Sequence, residues 1–250
     1  MIRLMRLTLA IAAVILLSAT TTRAAEQVDL LLVLSSDVSR SIDHPKFLLQ
    51  REGYAAAISD PQVLEAVKSG PHQKIAVCFI EWSGYGAQKV VVGWTKIDGA
   101  AQARKFGDQL LELPRSFADR TSISGGIEFY YAQFANAPFE APRRTIDVSG
   151  DGTNNAGRDV KIARDEVLAR GVVINGLVIL SDRPVPWNAE HTNPPGGLEK
   201  YYQDNVVGGP GAFVLVAENF QSFGRAIIKK LIAEIATLEP ARPSRHVLAR

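Results

Sequence analysis

Residues 28–34, VDLLLVL, are apolar except for Asp29 and show no alternation. A strand with one wet face alternates, so this run reads as a strand buried on both faces, which requires helices on both sides of its sheet. It leads into Asp37, Ser39 and Ser41, three oxygen-bearing side chains at alternate positions. In an open α/β sheet, ligands bind just beyond the carboxyl ends of the strands. One carboxylate and two hydroxyls converging there suit a hard divalent cation, Mg²⁺ or Mn²⁺. The same three residues equally suit the cap of a following helix, and this loop alone does not decide between the two.

The remainder of the chain repeats the alternation of strand and helix. Asp43 to Pro45 open a helix predicted to run to Ile58, because proline is tolerated in a first helical turn where its missing N–H would be unpaired anyway. Asp60 and Pro61 repeat that signal for a short helix to residue 67 or 68. Residues 74–82 and 89–95 read as two strands. Their connector, Ser83-Gly84-Tyr85-Gly86, is too short for a parallel crossover and predicts an antiparallel hairpin. Helices are expected over residues 99–113, from Thr121 or Ser122 to 134, and over 159–170, where Gly171 supplies the stop. Strands are expected over 143–149, 172–180 and 212–217. Phe223, Ile227, Leu231 and Ile235 mark the inner face of a closing helix. Residues 181–211, rich in proline and glycine, read as a long loop.

These elements predict a doubly wound α/β fold: a mostly parallel six-stranded sheet with one antiparallel edge strand. Asp151, in Gly150-Asp151-Gly152, follows a strand just as Asp37 does. Right-handed crossovers bring such strand ends to one rim, and two polar clusters on one rim favour the cation over the cap.

The N-terminus is a separate matter. Arg3 and Arg6 precede an apolar run over residues 7–17, followed by small residues to Ala24 and Ala25. This is the pattern of a secretory signal peptide, expected to span residues 1–24, with a retained anchor as the alternative. Its removal takes three of the 28 basic residues and none of the 26 acidic ones. The remaining chain is close to neutral, which argues against nucleic acid as a partner. The protein is expected in the periplasm or outside the cell, with one domain over residues 25–238 and a loose tail over 239–250. Cys78 is the single cysteine, so no internal disulfide is available, and its apolar neighbours mark it as a core thiol.

At this point the residues resemble the von Willebrand factor A domain. The metal-ion-dependent adhesion site of that family uses an Asp-x-Ser-x-Ser loop, a distant Thr and a later Asp. The matching positions are Asp37, Ser39 and Ser41, then Thr121 in RTSISGG, then Asp151 in VSGDG. More closely, EWSG, RTSISGGIEF, IDVSGDGTNN and YYQDNVVGGPGAF are similar to a family of secreted proteobacterial proteins with no assigned function, grouped with the A-domain superfamily. The resemblance implies a metal held directly by Ser39 and Ser41, and by Thr121 directly or through water. Asp37 and Asp151 would act mainly through water or hydroxyl hydrogen bonds. It further implies a binding module for a protein partner that offers an acidic side chain. Two departures stand out: Arg40 where a small glycine is usual, and Gly150 where Thr or Ser is commoner before the last Asp.

The enzyme alternative is a haloacid-dehalogenase-like phosphatase, because residues 150–155, GDGTNN, come close to that family's second motif. Ser39, however, stands where the general acid/base Asp is needed. A structural envelope protein with a vestigial metal site is the third reading. No phosphate-binding loop and no His-Glu-x-x-His motif is present. His44, His72, His191 and His246 are scattered and read as surface or loop residues rather than zinc ligands.

Overall fold

The computed structural model describes residues 25–180 and 188–236. The expected leader (1–24) and tail (239–250) lie outside the described residues.

The chain begins with β1 (Glu26–Gln27) and then β2 (Leu31–Asp37), all seven residues of which are buried. The first long strand therefore starts and ends three residues later than the apolar run implies. Asp29 lies outside it, accepting hydrogen bonds from the His72 and Lys74 backbone N–H groups. Ser35, Ser36 and Asp37 lie inside it, because each polar side chain finds a local partner. Ser35 donates to the Asp147 carbonyl, and Ser36 to Gln50 Oε1.

Helices α1 (His44–Ile58) and α2 (Pro61–Ser69) follow, capped by the side chains of Asp43 and Asp60. The cap of α1 is thus Asp43, and Asp37, Ser39 and Ser41 play no part in it. The hairpin β3 (Ile75–Trp82) and β4 (Gln88–Ile97) is antiparallel, as expected. Next come α3 (Ala100–Glu112) and α4 (Ile123–Gln133), and then β5 (Phe139–Glu140), which pairs with β1 in a two-residue parallel ladder not foreseen from the sequence. The chain continues through β6 (Arg144–Gly150), α5 (Val160–Leu168) and β7 (Val173–Ile179).

The largest correction falls on residues 181–211. Residues 181–187 lie outside the described part. The remainder is not one loop but α6 (Ala189–Thr192) and α7 (Leu198–Asn205) with short connections. Leu198, Tyr202 and Val206 recur at helical spacing and are buried. The surrounding prolines and glycines masked that period. β8 (Val214–Ala217) and α8 (Phe223–Ala236) complete the fold.

The main sheet runs β4-β3-β2-β6-β7-β8, with β3/β4 the antiparallel pair. One face packs against α1, α2, α3 and α8 through residues such as Leu32, Leu34, Phe79 and Ile179. The other packs against α4, α5 and α7 through Val33, Cys78, Ile80 and Val148. Burial pushes the Cys78 thiol up to about 12, as suits a core thiol. The strand order reverses at β2, whose neighbours are β3 and β6. This is the switch point where an open sheet leaves a crevice.

Beneath the sheet the apolar pattern is interrupted. Lys230 of α8 is fully buried, with Nζ 2.8 Å from Asp147 Oδ1 and 2.5 Å from Glu234 Oε1. Asn175, a polar residue inside a strand that reads as apolar, donates to the same Glu234 oxygen at 2.9 Å. Removing the cation would strand two carboxylates in a low-dielectric interior. Lys230→Ala is therefore expected to lower unfolding free energy by about 3–5 kcal/mol in urea titrations. Lys200→Ala, which opens an exposed pair with Asp204, should change it by less than about 1 kcal/mol.

Candidate metal centre

Asp37 closes β2 and Asp151 directly follows β6. These strands are parallel neighbours, so both carboxylates reach the same rim at the switch point. Asp37 Oδ1 accepts from the Ser39 backbone N–H at 2.7 Å, which bends the chain out of the sheet. Ser39 Oγ lies 3.1 Å from Ser41 Oγ, and Ser41 Oγ donates to Asp151 Oδ1 at 2.5 Å. Four of the five expected site residues thus form one hydrogen-bonded chain across the crevice. Arg115 holds the loop from behind, its guanidinium donating to the carbonyls of Val38 and Ser39 at 2.6 and 2.9 Å. Lys46 Nζ donates to the Ser41 carbonyl at 3.0 Å and stands 4.0 Å from Asp151 Oδ2. Neither Arg115 nor Lys46 carries a motif that would have marked it in the sequence.

Thr121 arrives from the loop before α4. The cap of that helix is Ser122, whose Oγ accepts from the Gly125 N–H, so Thr121 has no capping role. Its N–H donates to Asn155 Oδ1 at 2.9 Å, and its carbonyl accepts from the backbone N–H groups of Asn155 and Ala156. Asn154 Oδ1 accepts from the Ser124 N–H in the same clasp. The GDGTNN segment that resembles a phosphatase motif therefore ties the Thr121 loop to the end of β6. Thr121 shares with Ser39 and Ser41 a cleft of about 420 Å³, whose rim includes Arg40, Asp119 and Arg120. Arg40 is largely exposed and lies 3.9 Å from Asp119.

His191 is the clearest site residue that sequence reasoning missed. It is 6 % exposed rather than a surface histidine, and it lines this cleft. Its Nε2 lies 3.2 Å from Thr121 Oγ1 and its Nδ1 3.2 Å from Thr153 Oγ1. Burial lowers its basicity, and a hydrogen bond with the Thr153 backbone partly opposes that. A lone histidine in a segment that reads as loop offers no signal for this placement.

The donor set fits a hard cation. Asp37 Oδ2 and Asp151 Oδ2 are buried and have no hydrogen-bond partner among the described residues. Burial raises the pKa of both carboxyls well above the usual carboxylate range, and for Asp37 the nearby Asp151 adds to the effect. A divalent ion beside the hydroxyl chain would offset that cost. No group of three or more His, Cys, Asp or Glu side chains that could hold a metal occurs among the described residues. Any ion here would rely on hydroxyl and carboxylate oxygen together.

The fold and its strand order are those of a von Willebrand factor A-like domain. The chain is similar to a von Willebrand factor type A protein from Catenulispora acidiphila, with TM-score 0.50 and 11% identity over 85% of this chain and 44% of that one. It is also similar to proximal thread matrix protein 1 from the mussel byssus. The TM-score with crystal form 2 is 0.57, at 15% identity over 84% of this chain and 48% of that one. A structure of the same mussel protein with a zinc-occupied MIDAS motif matches at TM-score 0.56 and 16% identity, over 83% and 47%. The pilus adhesin SpaC from Lactobacillus rhamnosus GG matches at 0.55 and 13% identity, over 86% and 31%. The chain thus spans about half the mussel protein and under a third of the adhesin, and these likenesses establish the fold alone. No curated protein matches the sequence. Residues 27–239 match the model of the family described as protein of unknown function (DUF1194), and the chain belongs to that family.

The structure explains one departure from the A-domain pattern. A Cβ at Gly150 would stand 2.6 Å from Tyr202 Oη and 3.2 Å from Asp37 Oδ2. Tyr202 of α7 occupies the space that a Thr or Ser side chain would need. Gly150→Ala should therefore cost about 1–3 kcal/mol in urea unfolding, and adding Tyr202→Phe should recover most of it. An equal loss in both backgrounds would place the strain elsewhere.

Proposed function

We propose that this chain is an exported, non-enzymatic binding module that captures a protein partner through a divalent cation, Mg²⁺ or Mn²⁺. The observation that carries the reading is that Asp37 and Asp151, joined through Ser39 and Ser41, each keep a buried Oδ2 with no hydrogen-bond donor among the described residues. Ser39, Ser41 and Thr121 would hold the ion, with Asp37 and Asp151 supplying the balancing charge. The ion's own chemistry is to attract an anionic oxygen. Mg²⁺ releases its last waters reluctantly except to such a group, so a partner's Asp or Glu side chain fits the remaining position. Arg40 and Arg120 on the rim would add charge-assisted contacts to the same carboxylate or its neighbour. The zinc-occupied MIDAS motif of the mussel protein and the adhesin role of SpaC lend support from proteins of the same fold. Export rests on the leader pattern of residues 1–24.

Against a phosphatase, residue 39 is Ser where a proton shuttle is needed, and the GDGTNN segment is engaged in clasping the Thr121 loop.

Isothermal calorimetry tests the ion directly. Mg²⁺ or Mn²⁺ should bind the wild-type chain, and Asp37→Ala or Ser39→Ala should abolish binding. At about one hundred times its dissociation constant, the ion should add roughly 2.7 kcal/mol of stability. Absence of binding at millimolar ion, or phosphomonoester turnover lost in Asp37→Ala, would overturn the reading.

Capture of a partner from cell-envelope or secreted material should require the ion. Chelator should abolish it, and Thr121→Ala should weaken it. Replacing the partner's acidic residues one at a time should reveal a single dominant position. Capture that persists in chelator would remove the ion from the contact.

A further inference from the structure

His191 comes from α6, within the segment that follows β7, yet its ring is clamped by residues on both sides of the crevice. Gly152 lies flat against it: a Cβ there would stand 2.2 Å from His191 Nε2. The His191 carbonyl accepts from the Thr153 N–H at 2.9 Å. The ring is therefore built into the residues immediately after Asp151 and faces Thr121.

The neighbouring donors also bear on where its proton sits. Asn155 Oδ1 accepts from the Thr121 N–H at 2.9 Å, which fixes the orientation of the amide. The Asn155 NH₂ group then faces His191 Nδ1 at 3.4 Å, and an NH₂ group can only donate. This contact favours Nδ1 as an acceptor, and Thr153 Oγ1, 3.2 Å away, has a hydroxyl proton it can donate to the same nitrogen. A neutral ring with Nδ1 bare carries its proton on Nε2, directed at Thr121 Oγ1 3.2 Å away.

We infer that His191 is a positioning residue for the cation site: its Nε2–H donates to Thr121 Oγ1 and turns that hydroxyl so that a remaining lone pair faces the cleft shared with Ser39 and Ser41. This rests on the cation reading above. A hydroxyl oxygen has two lone pairs, so accepting one N–H leaves one for an ion. His191 itself is not a ligand, because an Nε2 ligand would need its proton on Nδ1, pointing at the Asn155 NH₂ group. Oxygen-only ligation follows, which suits Mg²⁺ and Mn²⁺ over the nitrogen-favouring Zn²⁺.

Two measurements on the purified full chain test this. Long-range ¹H–¹⁵N NMR of the metal-free protein, with the His191 signals assigned by their loss in His191→Gln, should show the Nε2–H tautomer. Asn155→Asp should convert it to Nδ1–H, because a carboxylate oxygen would then face Nδ1. Calorimetry with Mn²⁺ should show about 10- to 100-fold weaker binding in His191→Ala, largely rescued in His191→Gln, whose amide can donate to Thr121. Pulsed electron paramagnetic resonance of bound Mn²⁺ should show no directly coordinated ¹⁴N. An Nδ1–H tautomer in the wild type, an unchanged tautomer in Asn155→Asp, a direct ¹⁴N coupling, or wild-type affinity in His191→Ala would each overturn the inference. If His191→Ala does not fold, the tautomer measurements on wild type and Asn155→Asp decide. Failure of the wild-type chain to bind Mn²⁺ at all would overturn the cation reading and this inference with it. Binding that ignores His191 would overturn only the latter.

Discussion

Two carboxylates, Asp37 and Asp151, are brought together out of water at the point where the strand order of the sheet reverses. Each has one oxygen committed to a local donor and one that accepts no hydrogen bond among the described residues. Placing two like charges in a low-dielectric crevice is costly, and burial accordingly raises the pKa of both. Several contacts converge on this arrangement. Arg115 fixes the backbone of the β2–α1 loop, Lys46 approaches Asp151 from α1, and the Asn154–Asn155 clasp brings the Thr121 loop to the same rim.

The segment after β7 gives this domain its individual character. Its two helices supply Tyr202 beneath the site and His191 at its side, and both require glycine opposite: Gly150 for the tyrosine hydroxyl and Gly152 for the imidazole. The two glycines that flank Asp151 are thus the imprint of α7 on the end of β6 and of α6 on the turn that follows it. Glycine at position 150 is therefore a packing consequence of Tyr202.

A second buried polar group, Asp147–Lys230–Glu234 with Asn175, lies at the junction of α8, β6 and β7. It places charge within the packing between α8 and the sheet and links the closing helix to β6 and β7. Ionic groups of this kind cost more to break than they contribute when intact.

The sequence by itself determined the layered α/β architecture, because apolar runs without alternation recur between helical periods, and together they fit strands covered on both faces. It also determined that Asp37, Ser39, Ser41 and Asp151 follow buried strands, and that Thr121 opens a helix region, since short-range spacing and caps carry that information. The tertiary structure alone decided which of these side chains meet. It showed Asp43 rather than Asp37 capping α1, and Ser122 rather than Thr121 capping α4. It also brought His191, seventy residues beyond Thr121, into contact with it. Such pairings depend on where a proline- and glycine-rich segment folds back over the rim. That is set by the burial of Leu198, Tyr202 and Val206 against strands distant in the chain, and no local period records it.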